Sequence, residues 1–331
     1  MAHITFIHGI GNKATPEQLL REWRGALADH GLDLAARGIS SSMIYWADLL
    51  YASPVPETLY ESAAQLESAA QLESEERLEE AGVPDIGLRW VVEAQGAEAE
   101  LVRGVAEAIG FEELSSDGTV GAEAPPGGET GPTAAPEGLG FERVPLPGWV
   151  KRRLMKILLR DVHHYLFDAA FSPRPGETNR IRQTIRRRVV EALTDAAARE
   201  GPHVVVSHSM GTVIIYDCLK RVADCPAVDG LMTIGSPLGL DDVQDQLRPE
   251  WSRDDGFPST RLRSGWVNVF DRLDPVAAFD TGLANDFRHD GVAVVDDLHE
   301  PNWGRWRHGI DKYLAGDQLR DRLRGLLEAG R

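Results

Sequence analysis

The chain has 331 residues, 42% of them hydrophobic, and its 52 acidic and 35 basic side chains leave a net charge of −17. That length and apolar content suffice for one large core or two smaller ones, while the acidic balance argues against nucleic acid as a partner, since phosphates call for a basic face. No apolar run approaches the roughly 20 residues that cross a bilayer. The N-terminus, MAHITFIHGIGN, has no basic region followed by an apolar stretch; a cytoplasmic protein with Cys218 and Cys225 as reduced, unpaired thiols is expected.

In chain order, HITFIH (3–8) reads as a first strand, Thr15 to His30 as a capped amphipathic helix and Ser42 to Trp46 as a second strand. The α/β rhythm then stops. Between Glu57 and Arg143 there are 20 acidic residues against four basic ones, which accounts for nearly all of the net charge. Residues 57–110 are rich in Ala, Glu and Leu, and ESAAQL occurs in tandem at 61–66 and 67–72. Six is not a helical period, so the repeat belongs within a solvated helical hairpin and is not a solenoid unit. The stretch 115–140 lacks aromatic residues and is full of Gly, Pro and Glu, which predicts an exposed loop or disorder. From Pro147 helices resume, now with 11 Lys or Arg against three acids between Lys151 and Val190. After Gly201 the alternation returns, with strands predicted over 203–207, 229–234, 266–270 and 292–295. The fold class is therefore α/β, a mostly parallel sheet flanked by helices with a large helical insertion after the second strand. Its parts are a core at 1–50 and 200–331, an acidic helical insertion at 51–114, a flexible loop at 115–143 and a basic helical segment at 145–199.

The chemistry is concentrated at VVVSHSMGTVIIY, 204–216. A short β-branched run leads into a tight turn and then a helix starting near Thr212, the arrangement that lifts a serine hydroxyl clear of a sheet. Only small side chains fit two residues either side of such a serine; Gly211 meets this outright and Ser207 is among the smallest substitutes. Ser209 is the candidate nucleophile, and a plain strand-to-helix turn is the competing reading. A neutral serine needs an imidazole to take its proton and a carboxylate to hold that imidazole. WVNVF (266–270) is followed by DRLDPV, which offers Asp271 and Asp274, and the last strand is followed by His299 and His308, the latter just ahead of GIDKYL. Both loops fall at the carboxyl edge where open α/β sheets build their sites. An oxyanion hole requires backbone N–H donors; IHGIGN (7–12) offers that of Ile10, which joins that of Met210, with Gly9 and Gly11 allowing close approach. His163 and His164, adjacent on a helix, point in different directions, so no metal and no cofactor is expected.

These residues resemble the α/β-hydrolases of the lipase and esterase type. The resemblance is carried by FIHGIGN (6–12), VVVSHSMGT (204–212), TIGSPLG (233–239), NVFDRLDPV (268–276) and RHGIDKYL (307–314), spans roughly 1–50 and 200–331, and leaves 51–145 out. It implies Ser209 as nucleophile, Asp274 as acid, His308 as base and the Ile10 and Met210 amides as oxyanion hole; Ser207 stands where the family has glycine. Asp274 also precedes Pro275, which biases it to extended backbone, whereas Asp271 at the strand end is placed to bond its own turn. His8, Gly9 and His208 are expected around the pocket, His208 as a packing residue, and Trp303 and Trp306 either line the pocket or cap the core. The implied function is a serine hydrolase acting on a small-molecule or lipid ester. The alternatives are a catalytically weak interaction module, or a thioesterase or amidase with the same triad. Residues 149–171, with Tyr165 and Leu166 among apolar positions at helical spacing beside Lys151, Arg152, Arg153, Lys156 and Arg160, read either as a core-packed helix or as a peripheral membrane contact.

Overall fold

A computed structural model describes residues 1–55, 160–274, 276–277, 281–304 and 307–329, together with Gly96 and Glu98. The predicted hairpin at 57–110 and loop at 115–140 lie outside the described residues, as do 149–159 and Trp306.

The first strand, β1 (His3–Ile7), leads into α1 (Pro16–Asp29), whose N-cap Thr15 accepts the N–H of Gln18 and whose Pro16 sits where a missing N–H costs nothing. Next come β2 (Ser40–Ile44), α2 (Ile181–Ala197), β3 (His203–His208), α3 (Met210–Arg221) and β4 (Val228–Ile234). The chain closes with β5 (Leu262–Phe270), β6 (Val295–His299), α4 (Ile310–Leu314) and α5 (Asp317–Glu328). The six strands form one wholly parallel sheet in the order β2-β1-β3-β4-β5-β6.

Period-2 alternation explains how one sheet feeds two cores. Val204 and Val206 of β3 face Leu19, Trp23 and Leu27 of α1 and the leucines of α5; Val205 faces Val213 and Ile214 of α3 and Ile185 and Val189 of α2. Helices thus cover both faces. The chain leaves β1 for one edge and crosses back to β3, on the other side of β1, before building outward to β6. The order reverses between β1 and β3, and the crevice above the carboxyl ends of such a pair is where open α/β sheets bind ligands.

Two expectations need correction. The last strand of the sheet is 295–299, not 292–295; Val292–Ala293 pairs instead with Arg288–His289 in a separate two-stranded ribbon. The sequence VDDLH hides an edge strand because only Val295 and Leu298 are buried, while Asp297 accepts the Asn268 side chain and the N–H groups of Leu283 and Ala284. His299 is therefore the last residue of a strand, opposite Phe270, rather than part of a loop. The second strand likewise begins two residues earlier than predicted, at Ser40, because Ser40 and Ser42 bond the ring of His3 across the edge. The described end of the 149–171 stretch spends its apolar side chains on the core: Val162, Tyr165 and Leu166 are buried, and Arg160 is paired with Asp161. Those apolar groups are not available to a lipid surface. No helix among the described residues is long and apolar enough to cross a membrane.

Candidate active site

Ser209 follows β3 directly and has φ 53° and ψ −128°, a conformation that costs a non-glycine residue roughly 1–3 kcal/mol. Three bonds hold it there: its N–H donates to the Ile234 carbonyl at 2.9 Å, and its own carbonyl accepts from the Thr212 N–H at 2.9 Å and the Thr212 hydroxyl at 2.6 Å. The turn is tight enough that a Cβ on Gly211 would sit 2.7 Å from the carbonyl oxygens of both Ile7 and His8. Ser207 fits because its side chain is fully buried and its hydroxyl donates to the Met232 carbonyl at 3.2 Å, so serine replaces glycine without an orphaned polar atom. The Ser209 hydroxyl itself is buried and has no hydrogen-bond partner among the described residues. A strained backbone holding an unbonded hydroxyl is an arrangement that packing alone does not require.

His308 and Asp274 meet although 34 residues separate them. The imidazole Nδ1 lies 2.9 Å from each oxygen of the Asp274 carboxylate, and both side chains are buried. Burial alone would raise the pKa of Asp274, but the neighbouring His308 and the hydrogen bonds from His308, Tyr313 and the Val276 N–H outweigh it and hold the carboxyl below its ordinary range. An ionised carboxylate only accepts, so Nδ1 carries a proton, and the neutral imidazole held this way is the tautomer whose lone pair is on Nε2. A Cβ on Gly235, φ +54°, would sit 2.9 Å from Asp274 Oδ2 and 3.1 Å from His308, so the pair lies against the residue after Ile234, the acceptor of the Ser209 N–H. Asp271 bonds its own turn through the Leu273 N–H, as expected, but its other oxygen also takes the Asn302 N–H at 2.7 Å and Arg307 at 3.2 Å. It staples the acid loop to the histidine loop. His299 takes no part in the pair.

The loop after β1 is fixed peptide by peptide. The N–H of Trp46 donates to His8 Nε2 at 3.0 Å, which leaves the ring proton on Nδ1, and that proton goes to the Gly9 carbonyl at 2.8 Å. His8 also stacks on Trp46 at 4.8 Å, is fully buried, and has its pKa lowered to about 3 by burial, with Lys13 and Arg188 adding to the effect. Both ring nitrogens of His8 are thus engaged by the backbone of the fold. The carbonyl of Ile10 accepts from Lys13 Nζ at 2.6 Å and the Gly11 N–H donates to the buried Asp161 at 2.8 Å. Gly9 does approach Ser209 closely: a Cβ there would be 2.6 Å from Ser209 Cβ and 3.1 Å from its Oγ. Among the described residues nothing accepts the N–H of Ile10 or of Met210, the first residue of α3.

His208 packs as expected, its ring 4.5 Å from that of His308 and its Nε2–H donating to the His308 carbonyl at 2.9 Å. Burial, then the neighbouring His308, push its pKa well below the ordinary value, so it stays neutral. Trp303 is 55% exposed with Lys312 over its ring, and so caps no core. Both cysteines are buried and free, and among the described residues no three His, Cys, Asp or Glu are grouped to hold a metal. Sequence reasoning missed Tyr313 and Asp161: Tyr313 lies within RHGIDKYL but was given no role there, and Asp161 stands 150 residues from the N–H it fixes. No protein-family model matches the chain and no curated protein matches it, which leaves the geometry as the ground for a functional reading.

Proposed function

We propose that the chain is an α/β-hydrolase-type serine hydrolase that cleaves carboxylic esters, its sheet interrupted after β2 by the long acidic insertion. The observation that carries the reading is the conjunction at one sheet edge of a strained Ser209 with an unbonded buried hydroxyl and a buried Asp274–His308 pair in the tautomer a general base needs. In the proposed mechanism His308 Nε2 takes the Ser209 proton as Oγ attacks the ester carbonyl. The Ile10 and Met210 N–H groups receive the oxyanion, and the imidazolium returns its proton to the departing alcohol. Water, deprotonated by the same imidazole, then attacks the acyl-enzyme carbonyl and releases the acid. The Ser209 hydroxyl is not hydrogen-bonded to His308, and catalytic bonds of this kind are often completed only with substrate. That same gap favours the second reading, a catalytically silent fold used as an interaction module.

A fluorophosphonate probe separates the two. Under the hydrolase reading wild type is labelled, and Ser209→Ala and His308→Ala each lose labelling and ester turnover by roughly 10³-fold or more while melting within a few degrees of wild type. A well-folded wild type that takes no label would sink the hydrolase reading. A panel of acyl-chain lengths, thioesters and amides would then define the leaving group.

A further inference from the structure

The Asp274 carboxylate must stay ionised and keep one orientation if it is to hold His308, and its donors are unevenly divided. Oδ1 accepts the Val276 N–H at 2.8 Å and the Ala277 N–H at 3.3 Å besides His308. Among the described residues, the donor to Oδ2 apart from His308 is the phenol of Tyr313, at 2.6 Å, a residue buried completely in the core. The same phenol oxygen accepts the Asp271 N–H at 2.9 Å. Because a backbone N–H can only donate, the phenolic proton is left for Asp274, and the relay runs in one direction from N–H to O–H to carboxylate. Burial, then the adjacent Asp274 charge, push the phenol well above its ordinary pKa, so it remains a donor. The placement follows from α4: Gly309 is its N-cap, His308 immediately precedes it, and Tyr313 lies one turn on, its N–H bonded to the Gly309 carbonyl at 3.4 Å. One helical turn thus brings the imidazole and the phenol to the same carboxylate.

We propose that Tyr313 is a positioning residue of this site: its hydroxyl fixes Asp274 from the side opposite the backbone donors and ties the acid loop, through the Asp271 N–H, to the helix that follows His308. The inference rests on the proposed triad and adds to it a group that touches no substrate. Removing the hydroxyl leaves the carboxylate a donor short and more basic, so the coupled Asp274–His308 pair holds its protons more tightly.

Tyr313→Phe keeps the ring and removes the hydroxyl. On a short soluble p-nitrophenyl ester, kcat should fall on the order of tenfold or more with KM little changed, the loss of one charge-assisted hydrogen bond behind the reacting groups. The acid limb of the pH–rate profile should move to higher pH, and the downfield proton resonance of His308 Nδ1–H should shift. An unchanged profile and resonance in a folded Tyr313→Phe protein would overturn the proposal. Should that variant fail to fold, 2,3-difluorotyrosine at 313 keeps the shape with a stronger donor; the acid limb must then move to lower pH, and no movement overturns the proposal. The two failures are separable. A wild type without Ser209-dependent labelling defeats the hydrolase reading, whereas a labelled wild type with an indifferent Tyr313→Phe defeats this inference alone; the imidazole resonance needs no turnover at all.

Discussion

Replacing Gly9 by alanine adds one methyl group where the loop after β1 crosses the serine turn. Gly9 is not among the glycines with positive φ, so alanine meets no backbone penalty there and any effect must come from contact. The new Cβ would lie 2.6 Å from Ser209 Cβ, 3.1 Å from Ser209 Oγ and 3.3 Å from His208 Nδ1. Carbon atoms rest at about 3.5–4.0 Å, so the loop or the serine must give way by about 1 Å. Three interactions brace the loop (His8 on Gly9, Lys13 on Ile10, Asp161 on Gly11) and three bonds brace the serine. Overpacking of this kind costs about 1–3 kcal/mol, and a displacement of about 1 Å between reacting groups costs about 10²-fold in rate. The expected result is a second-order rate constant for fluorophosphonate labelling about 10²-fold below wild type, with a modest fall in melting temperature. Gly25→Ala is the control: in the middle of α1 its Cβ meets nothing within 4 Å, and it should stabilise by roughly 0.5–1 kcal/mol without touching activity. A Gly9→Ala protein labelled at the wild-type rate would refute the proposed closeness of loop and nucleophile.

Acid should destabilise the fold before any carboxylate titrates. Burial depresses His8 to about 3 and His203 to about 4, both below the ordinary 6.5; the unfolded chain therefore takes up protons as pH drops through 6.5 that the folded chain refuses, and each histidine should cost about 2 kcal/mol by pH 5. Urea midpoints that are level from pH 7.5 to 5 would contradict this, whereas the contribution of the lowered Asp274 is lost only further down, as pH falls below the ordinary carboxyl range. The two aspartates should separate cleanly: Asp274→Asn removes the charge that holds the His308 Nδ1–H and puts an NH2 donor in place of one carboxylate oxygen, and should lower turnover by roughly 10³-fold or more, while Asp271→Asn disturbs a staple and should show mainly in melting temperature. Equal losses of turnover would undo the distinction.

Much of the sheet was legible because its inner strands are bounded runs of apolar residues with strong turn signals, as VVVSHS before Met210 and LMTI before Gly235 show. The edges were harder. In VDDLH and SSSMI half the side chains face outward or bond across the edge, and apolar periodicity fades there for a physical reason. The serine turn was readable from the steric demand on Gly211, which the carbonyls of Ile7 and His8 impose. Loop position alone left two aspartates and two histidines as candidates; it was the resemblance carried by NVFDRLDPV and RHGIDKYL that pointed to Asp274 and His308, which the structure brings within 2.9 Å. A histidine beside a glycine at a strand end looks the same in sequence whether its nitrogens face a ligand or, as with His8, Trp46 and Gly9. Tyr313 and Asp161 act through contacts that span 39 and 150 residues, and spacing along the chain carries no trace of either.

Tyr51 and Arg160, on either side of residues 56–159 in the sequence, touch: the guanidinium lies 4.1 Å above the phenol ring, and Asp161 bonds Arg160 and the Tyr51 hydroxyl together. The two flanks of that stretch thus share one clasp. Joining two fixed points by a flexible chain costs only about 0.6 kcal/mol more for each doubling of its length, and on that scale a second hexamer such as ESAAQL at 67–72 is a small addition for the sheet to bear. And since Asp161 also holds the Gly11 N–H, the clasp that closes the two flanks is the same one that braces the loop facing Ser209.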